Sequence, residues 1–347
     1  MSGHNIRQAD IADSAVLQDD DKALKAVAAR YAVSVTDAVR ETIKTSNDPV
    51  ALQYMPQARE LITTPDELVD PIGDGAHSPV EGIVHRYPDR ALLLPVKVCA
   101  VYCRFCFRRE VVGPGQKMLS EAQLEKALDY IRNTPQIWEV ILTGGDPLVL
   151  SPRRLKNILD ALQSIPHVKV IRIHTRVPVA DHKRMTDEMM ETLTTDKPLY
   201  IAIHTNHAQE LSDAALATFK KLRRTGAILL SQTVLLKGVN DTPQALEDLF
   251  RRLVENGVKP YYLHHPDLAP GTSHFRLTLK EGRKIFRALR GKLSGLAHPE
   301  YVLDIPGGYG KVPVSESFTQ EDENDEVTHV TDYQDRTHAY PPREDSK

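Results

Sequence analysis

The sequence predicts an α/β fold in which a parallel sheet, closed or nearly closed into a barrel, carries helices on its outer face. Between about residue 90 and residue 295, short apolar runs of strand length alternate with longer segments of helical periodicity. Six such alternations can be counted, the pattern expected of parallel strands joined by crossover helices. A complete eight-unit barrel would need more repeats than the chain offers. The candidate strands are Ala91 to Val98, Val140 to Thr143, Val168 to His174, Leu199 to His204, Ile228 to Leu235 and Pro260 to His264. Helical segments fill 120–133, 152–164, 184–195, 208–224, 243–256 and 279–294. In such folds the chemistry gathers at the carboxyl ends of the strands. The cysteines, Gly144-Gly145-Asp146-Pro147, His174, His204 and Gln232 all fall there.

Ahead of the alternation, residues 1–75 read as a polar helical region, with helix-spaced apolar positions in 19–30 and 35–43. Asp48-Pro49 and Met55-Pro56 interrupt it, and Gly73-Asp-Gly-Ala-His-Ser-Pro79 reads as a loop from its turn residues. No chemistry is visible there, and a packing cap over the catalytic unit is the expectation. The barrel is assigned to 76–298 and a C-terminal segment to 299–347. That segment contains Lys311, an acidic run at 321–326 expected to be a solvated loop, and a hairpin-like stretch over 327–340.

Composition sets the frame. The chain has 347 residues, 41% hydrophobic and 26% charged, the balance of an ordinary folded enzyme-sized protein. A formal charge of -3 gives no reason to expect nucleic acid. No apolar run reaches the roughly 18 residues of a membrane helix, and no targeting pattern opens the chain, so a cytoplasmic location is expected.

The sharpest signal is Cys99-Ala-Val-Tyr-Cys103-Arg-Phe-Cys106, which contains all three cysteines of the chain. Unrelated buried thiols would not cluster this way. A disulfide would leave an orphan, and a structural zinc site would normally show two separated Cys-x-x-Cys pairs or Cys-Cys-His-His. Three soft thiolates without a fourth leave a metal centre one protein ligand short, which suits chemistry at the open position. His174, His204 and His207 have no ligand spacing and are read as satisfied polar groups or substrate-side donors rather than metal ligands.

The spacing C-x3-C-x2-C resembles that of the radical S-adenosylmethionine (SAM) superfamily, and the surrounding motifs resemble the lysine 2,3-aminomutases within it. Those motifs are His85-Arg-Tyr-Pro-Asp-Arg90, Cys106-Phe-Arg-Arg109, Leu142-Thr-Gly-Gly-Asp-Pro147, Gln232 to Asp241, Asp267 with His274-Phe275, and Asp304-Ile-Pro-Gly-Gly-Tyr-Gly-Lys311. They stand in family order, and the resemblance runs from about residue 50 to about residue 343. The resemblance implies an incomplete (β/α)6 barrel of the radical SAM type, with an N-terminal helical segment and a C-terminal extension.

It further implies site roles. Cys99, Cys103 and Cys106 would hold a 4Fe-4S cluster, and Gly144, Gly145, Asp146 and Gln232 would bind SAM. Lys311 would be the catalytic lysine carrying pyridoxal phosphate, with Arg86, Tyr87 and Arg90 holding or stacking on that cofactor. Arg108 would pair with the substrate carboxylate, and Asp267 and Asp304 would hold the side-chain ammonium of lysine. The implied reaction moves the 2-amino group of L-lysine to carbon 3 through a 5'-deoxyadenosyl radical and a pyridoxal imine, with SAM regenerated.

A small-molecule amino acid, an electron donor such as flavodoxin or ferredoxin, and no nucleic acid or membrane follow as partners, and a homo-oligomer stays open. Longer family members carry a cysteine-rich zinc segment, whereas no cysteine follows Cys106 here, so a short form without zinc is expected. Alternatives from the same reading are a lysine isomerase serving elongation factor P, an aminomutase for another amino acid, and a non-catalytic iron-sulfur scaffold.

Overall fold

The computed structural model describes residues 21–116, 118–321 and 327–342. Three short helices come first: α1 (Asp21–Arg30), α2 (Asp37–Arg40) and α3 (Ala51–Tyr54). The expected helix over 19–30 begins outside the described residues, and the one expected over 35–43 is a single turn. Thr36 caps that turn, its hydroxyl accepting from the Val39 amide at 3.3 Å.

A nine-stranded sheet follows, in the order β1 to β9. β1 (Ile83–Tyr87) and β2 (Arg90–Val96) form an antiparallel hairpin. β3 (Glu139–Gly144), β4 (Val170–Thr175), β5 (Leu199–His204), β6 (Ile228–Val234), β7 (Lys259–His264) and β8 (Glu300–Asp304) then run parallel to β2 in succession. β9 (Lys311–Pro313) turns back antiparallel to β8. The six expected strands are all present, their ends shifted by two residues at most.

The crossover helices are α4 (Glu121–Arg132), α5 (Pro152–Gln163), α6 (Val177–Ala180) with α7 (Asp187–Thr192), α8 (Asp213–Arg224), α9 (Pro243–Glu255) and α10 (Leu279–Arg287). Each lays an apolar stripe on the sheet. In α5 the buried residues are Leu155, Ile158, Leu159 and Leu162, the spacing of one helical face. Strand interiors such as Val140, Leu142, Ile171, Ile173, Ile201 and Ile203 meet these stripes in one continuous core.

Three helices differ from expectation for local reasons. The 184–195 segment is preceded by α6, with Pro178 in its first turn, and starts afresh where Thr186 caps α7 at 3.2 Å. The 208–224 segment starts as a 3-10 turn because Glu210 is buried and accepts from the Asn206 and His207 amides. The true helix starts at the Ser212 cap. The 279–294 segment stops at Arg287, and Gly291 follows at φ +78°.

Strands β1, β8 and β9 extend the sheet beyond the six-strand expectation. They are short and half polar, so period and apolarity do not single them out. The first and last strands of the sheet approach each other through one bond: the Lys311 amide donates to the Tyr87 hydroxyl at 2.7 Å. A separate three-stranded antiparallel sheet contains β10 (Thr319–Glu321), β11 (Thr328–Thr331) and β12 (Thr337–Tyr340), the last two forming the hairpin expected at 327–340. The acidic run lies outside the described residues apart from Glu321. Among the described residues no helix is long and apolar enough to cross a membrane.

Candidate active site

A cavity of about 630 Å³ opens at the carboxyl ends of the strands and reaches down to Trp138, Glu139 and Glu300 at their amino ends. Every residue given a cofactor or substrate role above lines it, as do His174 and His204, whereas His207 does not and instead accepts from the Gln209 amide at 3.1 Å.

The cysteine loop follows β2 and is clamped from the N-terminal side. Glu60 is wholly buried and receives both Arg104, at 2.6 to 3.0 Å, and Arg109. The Arg104 amide donates to the Gln53 carbonyl at 2.8 Å, and the Tyr102 amide to Ser34 at 3.2 Å. Arg109 is therefore a buried strut. A second strut, Arg176, lies 3.5 Å from Glu210 and donates to the Tyr54 hydroxyl.

Burial raises all three thiols, Cys103 to about 11, and in each the neighbouring cysteine charge adds to the effect or an arginine partly offsets it. Three thiolates on one dry wall need a strongly cationic centre to form. A cluster whose irons each take one thiolate meets that need. Among the described residues no three His, Cys, Asp or Glu side chains surround a point where a single ion could sit.

β3 ends at Gly144, and backbone crowding requires glycine there and at Gly145. A Cβ on Gly145 would stand 2.3 Å from the Val98 carbonyl oxygen, and one on Gly144, at φ +106°, 2.7 Å from that of Val96. The glycines let β3 tuck beneath the segment that leads into Cys99, with the Gly145 and Asp146 amides donating to Val96 and Val98 at 2.7 and 3.0 Å. The Asp146 carboxylate points inward: it accepts from the amides of Leu148 and Arg176 and the Thr175 hydroxyl at 2.7 to 3.0 Å. What this segment can offer a ligand is backbone. Gln232 lies 3.5 Å from His174.

Arg108 donates to Asp74 at 2.8 to 2.9 Å and to the Thr143 hydroxyl at 3.3 Å. At the other charge pole, Asp304 on β8 accepts from Lys311 Nζ, and His264 Nδ1 lies 3.5 Å away. Burial alone would raise Asp304, but the His264 hydrogen bond and the Lys311 ammonium outweigh it and hold the carboxyl far below its usual range. Asp267 meets the opposite fate. Burial, then the Asp304 charge, push it up to about 7. One carboxyl is thus fixed as an anion and its neighbour is poised to titrate.

Burial keeps His174, His204 and His264 neutral, His204 at about 3, and the His264 Nε2 atom has no partner among the described residues.

Lys311 stands directly across from Asp304 in the β8–β9 ladder, and its ammonium lies 5.6 Å over the Tyr262 ring. Arg86, Tyr87 and Arg90 come from the first hairpin, with the Arg90 guanidinium 3.8 Å over the Tyr87 ring. The Arg86 Nε is buried without a partner among the described residues. A lysine ammonium held by Asp304, a guanidinium with an unpaired Nε and a second arginine on one cavity are a set that can hold a phosphorylated aldehyde.

Sequence reasoning missed Glu60, Asp74, Arg176 and His264. Their partners lie far along the chain or their local sequence reads as a turn, and only the buried acid at Glu60, beside an apolar stretch, gave a local hint.

Residues 93–253 match the model of the radical SAM superfamily. The chain is 41% identical over 281 residues to the L-lysine 2,3-aminomutase of Clostridium subterminale, covering 81% of this chain and 68% of that protein. It is 36% identical over 276 residues to the L-lysine 2,3-aminomutase of Escherichia coli K12, covering 79% and 80%. A glutamate 2,3-aminomutase of Clostridioides difficile is 38% identical over 267 residues, covering 77% and 63%. Identity at this level over two thirds or more of the first two relatives, joined to the cysteine spacing and the cavity, means that this chain belongs to the lysine 2,3-aminomutase family of radical SAM enzymes.

Proposed function

We propose that the protein moves the 2-amino group of L-lysine to carbon 3, with a 4Fe-4S cluster on Cys99, Cys103 and Cys106, SAM against Gly144, Gly145, Asp146 and Gln232, and pyridoxal phosphate on Lys311 beside Arg86, Tyr87 and Arg90. When bound, these groups supply a hydrogen-abstracting radical and a conjugated carbonyl that lets an amino group migrate. The residues of the chain orient and select. Arg108 presents planar paired donors suited to the substrate carboxylate. Asp304, fixed as an anion, suits a side-chain ammonium, and Asp267 adds a second negative charge when it ionises. The neutral histidines line the cavity without repelling a cationic substrate, and the buried walls exclude bulk water from a reactive radical.

The observation that carries the choice of lysine is the pair Asp267 and Asp304 on one wall of the cavity. A second reading, glutamate, is favoured by the name of one relative. An anionic side chain beside two carboxylates would be repelled, so we rank it below lysine. A cytoplasmic site and a flavodoxin or ferredoxin reductant fit an oxygen-sensitive cluster.

The test is anaerobic incubation of reconstituted protein with SAM, pyridoxal phosphate, dithionite and single amino acids, followed by product analysis. β-Lysine from lysine is the expected product. Better turnover of glutamate would overturn the substrate, and no rearranged product from any amino acid would overturn the reaction.

A further inference from the structure

The loop that the sequence marks as a mere turn, Gly73 to Pro79, reaches the cavity from behind. Its Asp74 does not line the cavity, whereas Arg86 and Arg108 both do. Asp74 Oδ2 receives the Nε and Nη2 edge of Arg108 at 2.9 and 2.8 Å, and Oδ1 lies 3.4 Å from Arg86 Nη2. One carboxylate therefore touches two guanidiniums, one from the first hairpin and one from the cysteine loop. Its grip on Arg108 is side-on through Nε and Nη2, and Nη1 donates to the Thr143 hydroxyl at 3.3 Å, so one N–H on each of Nη1 and Nη2 is left for a ligand. On Arg86 it engages Nη2 only, and the buried Nε stays unpaired among the described residues.

The loop itself is fixed. Its Asp74 and Gly75 amides donate to Asp70 at 2.9 and 2.8 Å. A Cβ on Gly73, at φ +66°, would stand 2.8 Å from the backbone of Gly307 and Gly308, so this loop packs on the turn that leads to Lys311. The Gly307 amide donates to Pro71 at 3.2 Å, and His77 Nε2 lies 3.1 Å from the Gly308 carbonyl.

We propose that Asp74 is a positioning residue that yokes the cofactor and substrate subsites, holding Arg86 for the phosphate of pyridoxal phosphate and Arg108 for the substrate carboxylate. This rests on the assignment of those two arginines under the proposed function. A guanidinium on a flexible stem loses rotamer freedom when it binds an anion, and a half-buried carboxylate behind it removes part of that loss in advance. Shared support also links the two ligands. An arginine aligned for one keeps Asp74, and hence the other arginine, in place.

The experiment compares the full-length parent with Asp74→Asn, Asp74→Glu, Arg86→Met and Arg108→Met. Its readouts are the dissociation constant of pyridoxal phosphate for the cofactor-free chain, measured by absorbance, and the kinetic constants for lysine. Asp74→Asn is expected to raise both the dissociation constant and KM about tenfold, with kcat within about threefold and iron content unchanged. Asp74→Glu, which restores the charge, should recover part of both. In the Arg86→Met background Asp74→Asn should change the dissociation constant by less than about twofold, because the group it acts through is gone. If Asp74→Asn leaves both constants at the parent values while the arginine variants raise them, the yoke is wrong and the assignment of the arginines stands. If it lowers both, Asp74 competes with the ligands and the proposal is overturned. If the arginine variants bind cofactor and lysine like the parent, the assignment fails and the yoke falls with it.

Discussion

Asp267 makes the pH dependence of lysine recognition a sharp test of the cavity. Its carboxyl is pushed up to about 7, by burial first and by the Asp304 charge second, while Asp304 stays ionised throughout the working range. At pH 6 roughly a tenth of Asp267 is ionised and at pH 8 roughly nine tenths. If the side-chain ammonium of lysine needs that second charge, kcat/KM should rise about tenfold between pH 6 and pH 8 and then level off. Bound lysine favours the ionised carboxyl, so kcat should show its midpoint at a lower pH than kcat/KM. Asp267→Asn should flatten the rise and fix KM near its low-pH value, a loss of roughly ten- to a hundredfold at pH 8 from one charged contact of about 1.5–3 kcal/mol.

In the ligand-free chain the same proton acts on stability. Folded Asp267 keeps it to about 7 while an unfolded aspartate releases it near 4, so the folded state binds more protons across that window. This contribution is full below pH about 4 and is lost as pH rises through 7. Asp267→Asn should therefore lose less stability than the parent between pH 5 and pH 8. Initial rates over a pH series and thermal melts of parent and variant provide the readout. A flat kcat/KM in the parent, or an unaltered slope in Asp267→Asn, would refute the reasoning.

Anaerobic reconstitution should yield about four irons per chain, and changing any one of Cys99, Cys103 or Cys106 to alanine should abolish SAM cleavage, read by chromatography of the nucleoside product. Borohydride treatment of protein loaded with pyridoxal phosphate should fix the cofactor on the peptide containing Lys311, and a label on another lysine would move that site. Glu60→Gln leaves Arg104 and Arg109 buried without their anion and should cost about 3–5 kcal/mol in denaturant unfolding, whereas Glu281→Gln, on an exposed cap, should cost far less. Purified protein should carry no stoichiometric zinc, since no thiol lies outside the cluster motif, and about one tightly held zinc per chain would reveal ligands of another kind.

The parts of this molecule that could be read from sequence are those where local pattern and tertiary role coincide. The buried strands are continuous apolar runs because both faces of a covered parallel sheet are dry, and Leu199 to His204 is legible to the residue for that reason. The cysteines and Lys311 stand out because spacing and flanking glycines are local facts. β9 has only three residues, and β8 shares its length with any short loop strand, so their membership in the sheet is a property of what they pair with. Asp74 and Glu60 are hidden for a related reason. Their partners lie 34 and 44 residues downstream in Arg108 and Arg104, and a Gly-Asp-Gly sequence reads as a turn whatever its carboxylate touches. The glycines after β3 were legible as glycines, but the crowding that requires them comes from the chain's own segment at Val96 to Val98 and cannot be inferred from the motif.

The pairing of Asp304 with Lys311 across the β8–β9 hairpin has a consequence for how such a pocket could change its substrate. Residues directly opposite in an antiparallel ladder keep their Cβ atoms about 4.5–5.5 Å apart, and the backbone hydrogen bonds leave little slack. If Lys311 anchors the cofactor and Asp304 the far end of the amino acid, as proposed above, the spacing between them is a property of strand register. Loop insertions elsewhere cannot lengthen it, and a one-residue slip of β9 would turn Lys311 away from the lumen while Asp304 stays where β7 holds β8. Diversification is thereby channelled into single side-chain exchanges at 304 and 267. A lineage can trade the sign or reach of the distal anchor while the attachment point of its cofactor stays where the hairpin put it.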